Sequence, residues 1–166
     1  MKKWQGLATA SAMATVLGVA PVLWAMEAAS QADKDFVAKV SQGGLYEVEA
    51  GHVAELRGVS PFVKDFAATE AHDHEGVNDR LKGIASATGV ETTPGLNAEF
   101  SARLAKLKEV PAAQFDGYYV ADMKAIHGKD YALFVEEAGK GTSGYKKFAE
   151  ETSVIVKGHI GALGTV

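Results

Sequence analysis

Residues 60–89, SPFVKDFAATEAHDHEGVNDRLKGIASATG, carry the strongest secondary-structure signal in the chain. Ser60 is a residue type that caps helix N-termini, and Pro61 suits the first helical position because no amide hydrogen is needed there. Apolar residues then recur at helical spacing until Gly89, which is typical of the residue that follows a helix. We therefore predict one long amphipathic helix from Pro61 to about Thr88.

Helical patterns flank this segment on both sides, and the sequence lacks the alternation typical of strands. Gly43-Gly44 in the first of these helices marks a kink or a close approach of two helices. Two short turns and one long connection predict an all-α fold over residues 33–164. This fold is a ferritin-like antiparallel four-helix bundle with a crossover connection that carries a short extra helix. The other predicted helices run from Asp33, the predicted N-cap, to Arg57, from Asn97 to Lys108, from Pro111 to Ala138 and from Tyr145 to Ala162.

The N-terminus has the pattern of a secretory signal peptide. Lys2 and Lys3 give it a positive start, and residues 4–25 carry no charge. We predict a signal peptide over residues 1–25, cleavage after Ala25 or as late as Ala32, and a periplasmic location. The alternative is an uncleaved segment that anchors the protein, and this is the only membrane contact that the sequence predicts.

The composition excludes several classes of protein. The chain has 166 residues, of which 47% are hydrophobic, so one domain with a sizeable core is expected and disorder is not. Basic residues number 17 against 21 acidic ones, and this balance gives no support for nucleic-acid binding. The absence of cysteine excludes a lipoprotein, disulfides, thiolate metal sites and cysteine nucleophiles.

Histidine and glutamate interrupt the predicted apolar faces of the four long helices. Glu70 and His74 fill the two middle positions of the apolar row in the second helix. His127 and His159 lie in the rows of the last two helices, whereas His72 should point away from the core. In the first helix we place the row on Val37, Leu45, Val48 and Leu56, with His52 in line and Glu49 beside it.

These polar residues lie at similar depths in the predicted bundle. At about 1.5 Å per residue, His74 lies roughly 21 Å from the first turn and His127 roughly 21 Å from the second. His159 lies about one helical turn deeper than His127. Glu49 and Glu70 are about equally far from the first turn and can face each other, while His52 lies nearer the end of the bundle.

A mid-bundle cluster of this kind has the ligand types of a transition-metal site. Carboxylates and imidazoles suit iron, manganese, zinc and copper. The alternative is that the side chains hydrogen-bond one another and fix the register of the helices with no metal. The predicted ligands are Glu49, Glu70, His74, His127 and His159.

Several segments resemble the bacterial domain-of-unknown-function family 4142, which is grouped with the ferritin-like folds. They are FVA at 36–38, GGLYEVEAG at 43–51 and SPFVKDFA at 60–67. Asp73-His74, Met123 to His127 and His159 are similar to its polar positions, and the similarity covers about residues 33–163. The resemblance implies a ferritin-like bundle, usually exported, and brings no established activity.

The related ferritins use Glu-x-x-His pairs on two helices, and this sequence departs from that motif. Glu70 is followed by Asp73 at i+3 and by His74 only at i+4. His127 is preceded at i−3 by Lys124 rather than by glutamate. Ferroxidase chemistry is therefore not predicted from the resemblance.

Three functions remain open at this point. The first is a periplasmic binding or stress-associated protein, without catalytic residues, that holds a transition-metal ion at mid-bundle. The second is a di-metal oxidoreductase, which needs at least four converging carboxylates where the sequence places only Glu49 and Glu70. The third is a metal-free structural or interaction module. We expect a binding protein rather than an enzyme.

Overall fold

The computed structural model describes residues 27–165, and this part of the chain is all α-helical. The all-α prediction is therefore confirmed, whereas the predicted signal peptide over residues 1–25 lies outside the described residues. No helix between residues 27 and 165 combines the length and the apolar character that crossing a membrane requires. The helices are α1 (Gln31–Arg57), α2 (Pro61–Ala87), α3 (Ala98–Glu109), α4 (Ala112–Lys140) and α5 (Ser143–Leu163).

Side-chain caps fix where the first two long helices begin. The Val63 amide donates to Ser60 Oγ at 3.2 Å and Pro61 follows the cap, as predicted. The predicted N-cap of α1 is wrong, because Ser30 takes that role and Asp33 lies three residues on. The amide of Asp33 donates to Ser30 Oγ at 3.1 Å, and the amide of Ser30 donates to Asp33 Oδ2 at 2.6 Å. This reciprocal pair is a capping box.

The four long helices form two antiparallel hairpins, α1–α2 and α4–α5. The start of α1 shares an apolar core with the end of α2, the end of α4 and the start of α5, so neighbouring helices run antiparallel. The connection from α2 to α4 therefore crosses the full length of the bundle and carries α3, as predicted. The core at this end is built on Phe36, Leu81, Phe134 and Phe148, and the core at the other end on Ala54, Val63, Phe115 and Leu163.

Two side chains of α1 hold the crossover against the bundle. The Gln42 amide donates to the Gly95 carbonyl at 2.9 Å and accepts from the Asn97 amide at 2.7 Å. The Arg57 guanidinium donates to the Leu107 carbonyl at 3.0 Å, at the C-terminal end of α3. It also lies over the Phe115 ring, 4.7 Å from the centroid. The crossover is thus tied to α1 at both of its ends.

Small residues bring α1 and α2 close together. A Cβ at Gly44 would lie 2.1 Å from Asn78 Oδ1, and one at Gly51 would lie 3.0 Å from the Ala67 carbonyl oxygen. Of the two predicted roles of Gly43-Gly44, the structure supports the close approach. This packing also corrects the predicted face of α1: Leu56 is 85% exposed, and the buried residues include Gly43, Gly44, Ala50, Gly51 and Ala54.

Candidate metal centre

A layer of buried polar side chains separates the two apolar cores at mid-bundle. Its central members are Glu70 and His74 on α2, His127 on α4 and His159 on α5. Glu70 and His127 are 0% exposed, His74 is 2% exposed and His159 is 6% exposed. An ionisable group so deeply buried is costly unless a partner compensates it, so this layer requires an electrostatic explanation.

The three imidazoles converge on the carboxylate of Glu70. Glu70 Oε1 lies 3.1 Å from His74 Nε2 and 3.2 Å from His127 Nε2. Glu70 Oε2 lies 3.0 Å from His159 Nδ1. One ligand atom from each of these four residues lies within 4.8 Å of the other three. This buried group of nitrogen and oxygen atoms could hold a metal ion.

The other nitrogen of each ring faces a hydrogen-bond acceptor. His74 Nδ1 lies 3.1 Å from Glu47 Oε2, and His159 Nε2 lies 3.0 Å from Asp73 Oδ2. His127 Nδ1 lies 2.9 Å from the Met123 carbonyl oxygen, which can only accept. An N–H directed outward leaves the inner nitrogen of a neutral ring with a free lone pair. Metal-binding histidines are commonly oriented by partners of this kind.

The inner contacts are short but do not all have hydrogen-bond geometry. Neither Glu70 oxygen has a hydrogen-bond partner among the described residues, and His74 Nε2 also lacks one. His127 Nε2 and His159 Nδ1 lie 3.2 Å apart as a hydrogen-bonded pair, which requires a proton on one of the two nitrogens. The centre of the layer therefore collects acceptor atoms in excess of donors, and a cation would satisfy them.

Nearby charges set the protonation of this layer. Burial alone would raise the pKa of Glu70, but the contacts with His127, His159 and His74 hold it well below its usual range. Burial lowers the pKa of His159, yet Glu70 and Asp73 outweigh burial and raise it. Burial and the neighbouring carboxylates of Asp130 and Glu70 raise the pKa of Glu47. Glu70 is thus the ionised carboxylate at the centre of the layer.

The structure brings together four of the five residues that the sequence predicts, namely all but Glu49. Glu49 is exposed, so its predicted place in the cluster is wrong. Residues two apart on a helix point about 200° away from each other, and it is Glu47 that faces inward.

The remaining two histidines, His52 and His72, lie on the surface. His52, which the predicted apolar row of α1 includes, is also exposed and pairs with Glu55 and Glu75 on the surface. His72 is exposed, as predicted. Sequence reasoning missed Asp73, whose contact with His159 depends on how α2 packs against α5. In the sequence it stands next to His74, and the pair Asp73-His74 is similar to polar positions of the family that the chain resembles.

Comparison with known proteins places the chain in a family. A family model described as a domain of unknown function (DUF4142) matches residues 20–165, which include the whole described bundle. The chain belongs to the DUF4142 family. The resemblance carried by segments 36–38, 43–51 and 60–67 is therefore confirmed. No curated protein matches the sequence of this DUF4142 member.

A solved structure is similar to this DUF4142 chain in fold. It is the crystal structure of a DUF305 fragment from Deinococcus radiodurans, with a TM-score of 0.73 and 16% sequence identity. The alignment covers 84% of this chain and 100% of the fragment. At this identity the likeness establishes the fold alone, and it agrees with the helical bundle described above.

Proposed function

We propose that this DUF4142 protein binds one transition-metal ion in the middle of its bundle through Glu70, His74, His127 and His159. The observation that carries the proposal is the convergence of four ligand atoms within 4.8 Å while the outer ring nitrogens face acceptors. The convergent atoms offer more acceptors than donors, and a positive ion that displaces the one shared proton would satisfy them.

The ligand set narrows the choice of metal and the kind of site. Three imidazole nitrogens and one carboxylate oxygen suit zinc, copper and iron, and by affinity Cu²⁺ and Zn²⁺ bind such a set more tightly than Mn²⁺ or Fe²⁺. Four protein ligands complete a tetrahedral site, whereas catalytic zinc sites keep one position open. This closed shell supports a role in holding metal rather than in catalysis.

The two rival functions fit the residues less well. Di-metal chemistry needs several bridging carboxylates, and within residues 27–165 the convergent group contains one, Glu70. A metal-free module needs a proton in place of the ion, held on His159 between Glu70 and Asp73. That arrangement still leaves His74 Nε2 without a hydrogen bond, which favours the metal.

The N-terminal sequence supports a periplasmic location as part of the proposal. Lys2 and Lys3, followed by the uncharged residues 4–25, support export to the periplasm. A buried site with histidine and carboxylate ligands would sequester or carry metal ions in that compartment. An uncleaved N-terminal segment would keep the same bundle at the membrane surface.

Metal stoichiometry tests the proposal directly. Purified protein should contain or take up about one Zn²⁺, Cu²⁺ or Co²⁺ ion per chain, measured by plasma mass spectrometry and equilibrium dialysis. Bound Co²⁺ should show the intense visible absorption of a tetrahedral site. His74→Ala should abolish this binding, and His72→Ala is the matched control because it removes an exposed histidine two residues away.

The same experiment defines the contrary result. If the purified protein contains no bound metal and takes up none of these ions, the proposed metal site is wrong. The polar layer would then be a metal-free network that fixes helix register. Equal loss of bound metal in His72→Ala and His74→Ala would contradict the assignment of the ligands.

A further inference from the structure

His159 is the member of the buried cluster that lies nearest to the surface. Its exposed fraction of 6% exceeds those of the other three proposed ligands. The two apolar cores close the polar layer along the bundle axis, and Glu47 closes it on the α1 side. The direction left for an ion to travel is therefore outward past His159, between α2 and α5.

A groove lies on the surface at this place. It has a volume of ≈ 510 Å³ and runs between α2 and α5 with His159 among its lining residues. A divalent ion with six waters, each occupying roughly 30 Å³, needs about 180 Å³, so a hydrated ion fits. The Phe66 ring packs edge-on to the His159 ring, 5.8 Å between centroids, and both residues line the groove.

The mouth of the groove carries negative charge. Asp65, Thr69 and Asp73 follow one another at i, i+4 and i+8 along α2, and all three line the groove. The described lining residues include neither lysine nor arginine. The Asp73 carboxylate, 35% exposed, lies 3.0 Å from His159 Nε2 and so links the solvent to a proposed ligand. Carboxylates at the mouth of a cleft raise the local concentration of cations.

We infer that this groove is the port through which a hydrated divalent metal ion enters and leaves the buried centre. Asp65 and Asp73 draw the ion to the mouth, and the rings of Phe66 and His159 form the inner gate. The inference rests on the proposed metal site. It adds a route, and it makes α2 and α5 the helices between which the ion passes.

Gly158 offers a way to block the port without touching a ligand. It lines the groove between Val154 and Ala162, one helical turn from each along α5. A Cβ added at Gly158 meets no atom within 4 Å. Gly158→Leu should therefore fill the groove with little strain. Gly161→Leu is the matched control, because Gly161 lies on the same helix, has the same free space and does not line the groove.

The measurement is the rate of metal exchange in the full chain. Stopped-flow absorbance follows Co²⁺ uptake, excess EDTA drives its release, and competition titration gives the Kd. Gly158→Leu should slow uptake and release alike, by about tenfold or more, with an unchanged Kd. A leucine side chain that only fills the groove raises the activation free energy of uptake and of release equally, because it alters neither the metal-free nor the metal-bound state. Gly161→Leu should exchange metal at the rates of the unaltered protein.

A second variant tests the charge at the mouth. Asp65 lines the groove but is not one of the four proposed ligands. Asp65→Asn should slow Co²⁺ uptake and weaken its dependence on ionic strength. Uptake by Asp65→Asn with the salt dependence of the unaltered protein would contradict the role of the acidic mouth.

The outcomes separate the port from the site. If Gly158→Leu and Gly161→Leu both load about one ion per chain and exchange it equally fast, the port is wrong and the metal site stands. If the unaltered protein binds no Co²⁺ at equilibrium, the proposed function fails and the port fails with it. Slowed exchange in Gly158→Leu alone, at constant Kd, supports both.

Discussion

Asp73 Oδ2 lies 3.0 Å from Nε2 of His159, so a partly exposed carboxylate stands directly behind the outermost ring of the buried cluster. The contact joins α2 to α5 across 86 residues of sequence. A carboxylate in this position fixes the orientation of the ring and makes its other nitrogen a better donor to a metal. We therefore expect Asp73 to tune the proposed metal site without being one of its ligands.

Asp73→Asn should weaken metal binding while leaving its stoichiometry at one ion. Loss of a carboxylate partner behind a ligating histidine typically costs about 10–100-fold in affinity. Competition titration with a chromophoric chelator measures the Kd. Asp79→Asn, at an exposed acid on the same helix, is the control and should keep the original Kd. Identical affinity in the two variants would show that Asp73 has no such role.

Metal should stabilise the fold, because an ion that binds only the native state adds free energy of unfolding. At a free ion concentration one hundred times the Kd the gain is about 2.7 kcal/mol. For a domain of this size that corresponds to a rise in Tm of about 5–11 °C. Calorimetry with Zn²⁺ and with EDTA measures the difference. His74→Ala should show the same Tm under both conditions, and a Tm indifferent to Zn²⁺ in the unaltered protein would contradict the prediction.

The neighbouring carboxyl groups of Glu137 and Asp33, near the α4–α5 turn, should make the free energy of unfolding depend on pH. Burial and the adjacent Asp33 carboxylate raise the pKa of Glu137 to about 7. A raised pKa means that the contribution of Glu137 is full below its unfolded-state pKa and is lost as pH rises through about 7. The pKa of Asp33 is lowered, because hydrogen bonds from Glu137 and from backbone amides outweigh burial. Asp33 therefore stays ionised throughout this range.

Urea unfolding of metal-free protein should accordingly show a lower free energy of unfolding at pH 8 than at pH 6. The decrease should be about 1–2 kcal/mol, because solvent near the end of the bundle screens part of the interaction. Glu137→Gln should make this decrease smaller, since the amide cannot ionise, and the raised pKa values of His159 and Glu47 account for the remainder. Glu136→Gln changes an exposed neighbour whose pKa is lowered by Lys140, and it should leave the slope intact. A slope in Glu137→Gln equal to that of the unaltered protein would show that Glu137 does not contribute to it.

The close packing of α1 on α2 should tolerate no added methyl group at Gly51. A Cβ there would lie 3.0 Å from both the Ala67 carbonyl oxygen and the Ala71 Cβ. Gly51→Ala should therefore destabilise the protein by about 1–3 kcal/mol, the usual cost of overpacking. Gly83→Ala is the matched control because its Cβ meets nothing within 4 Å, and it should stabilise α2 by about 0.5–1 kcal/mol. Chemical unfolding measures both, and equal effects of the two changes would contradict the close approach.

Local signals in the sequence were sufficient for the helices and for most of the cluster. Ser60-Pro61 marks the start of α2, and the constant rise of a helix places His74, His127 and His159 at one depth. The predicted face of α1 is wrong because glycine and alanine form the part of it that packs closely on α2, and these residues carry little hydrophobic signal. Glu49 was therefore chosen where Glu47 faces inward. The contact of Asp73 with His159 follows from the packing of separate hairpins, which no local pattern encodes.

The division of the proposed ligands between the hairpins has a consequence for assembly. Glu70 and His74 belong to the α1–α2 hairpin, whereas His127 and His159 belong to the α4–α5 hairpin. Each hairpin forms from contacts that are near in sequence, but the two must find each other across the long crossover. An ion bound by ligands from both hairpins would link the two hairpins to each other. Removal of the ion by a chelator should first weaken the contact between the two hairpins. Amide hydrogen exchange should then rise along the α2–α5 and α1–α4 boundaries, while the contacts within each hairpin persist.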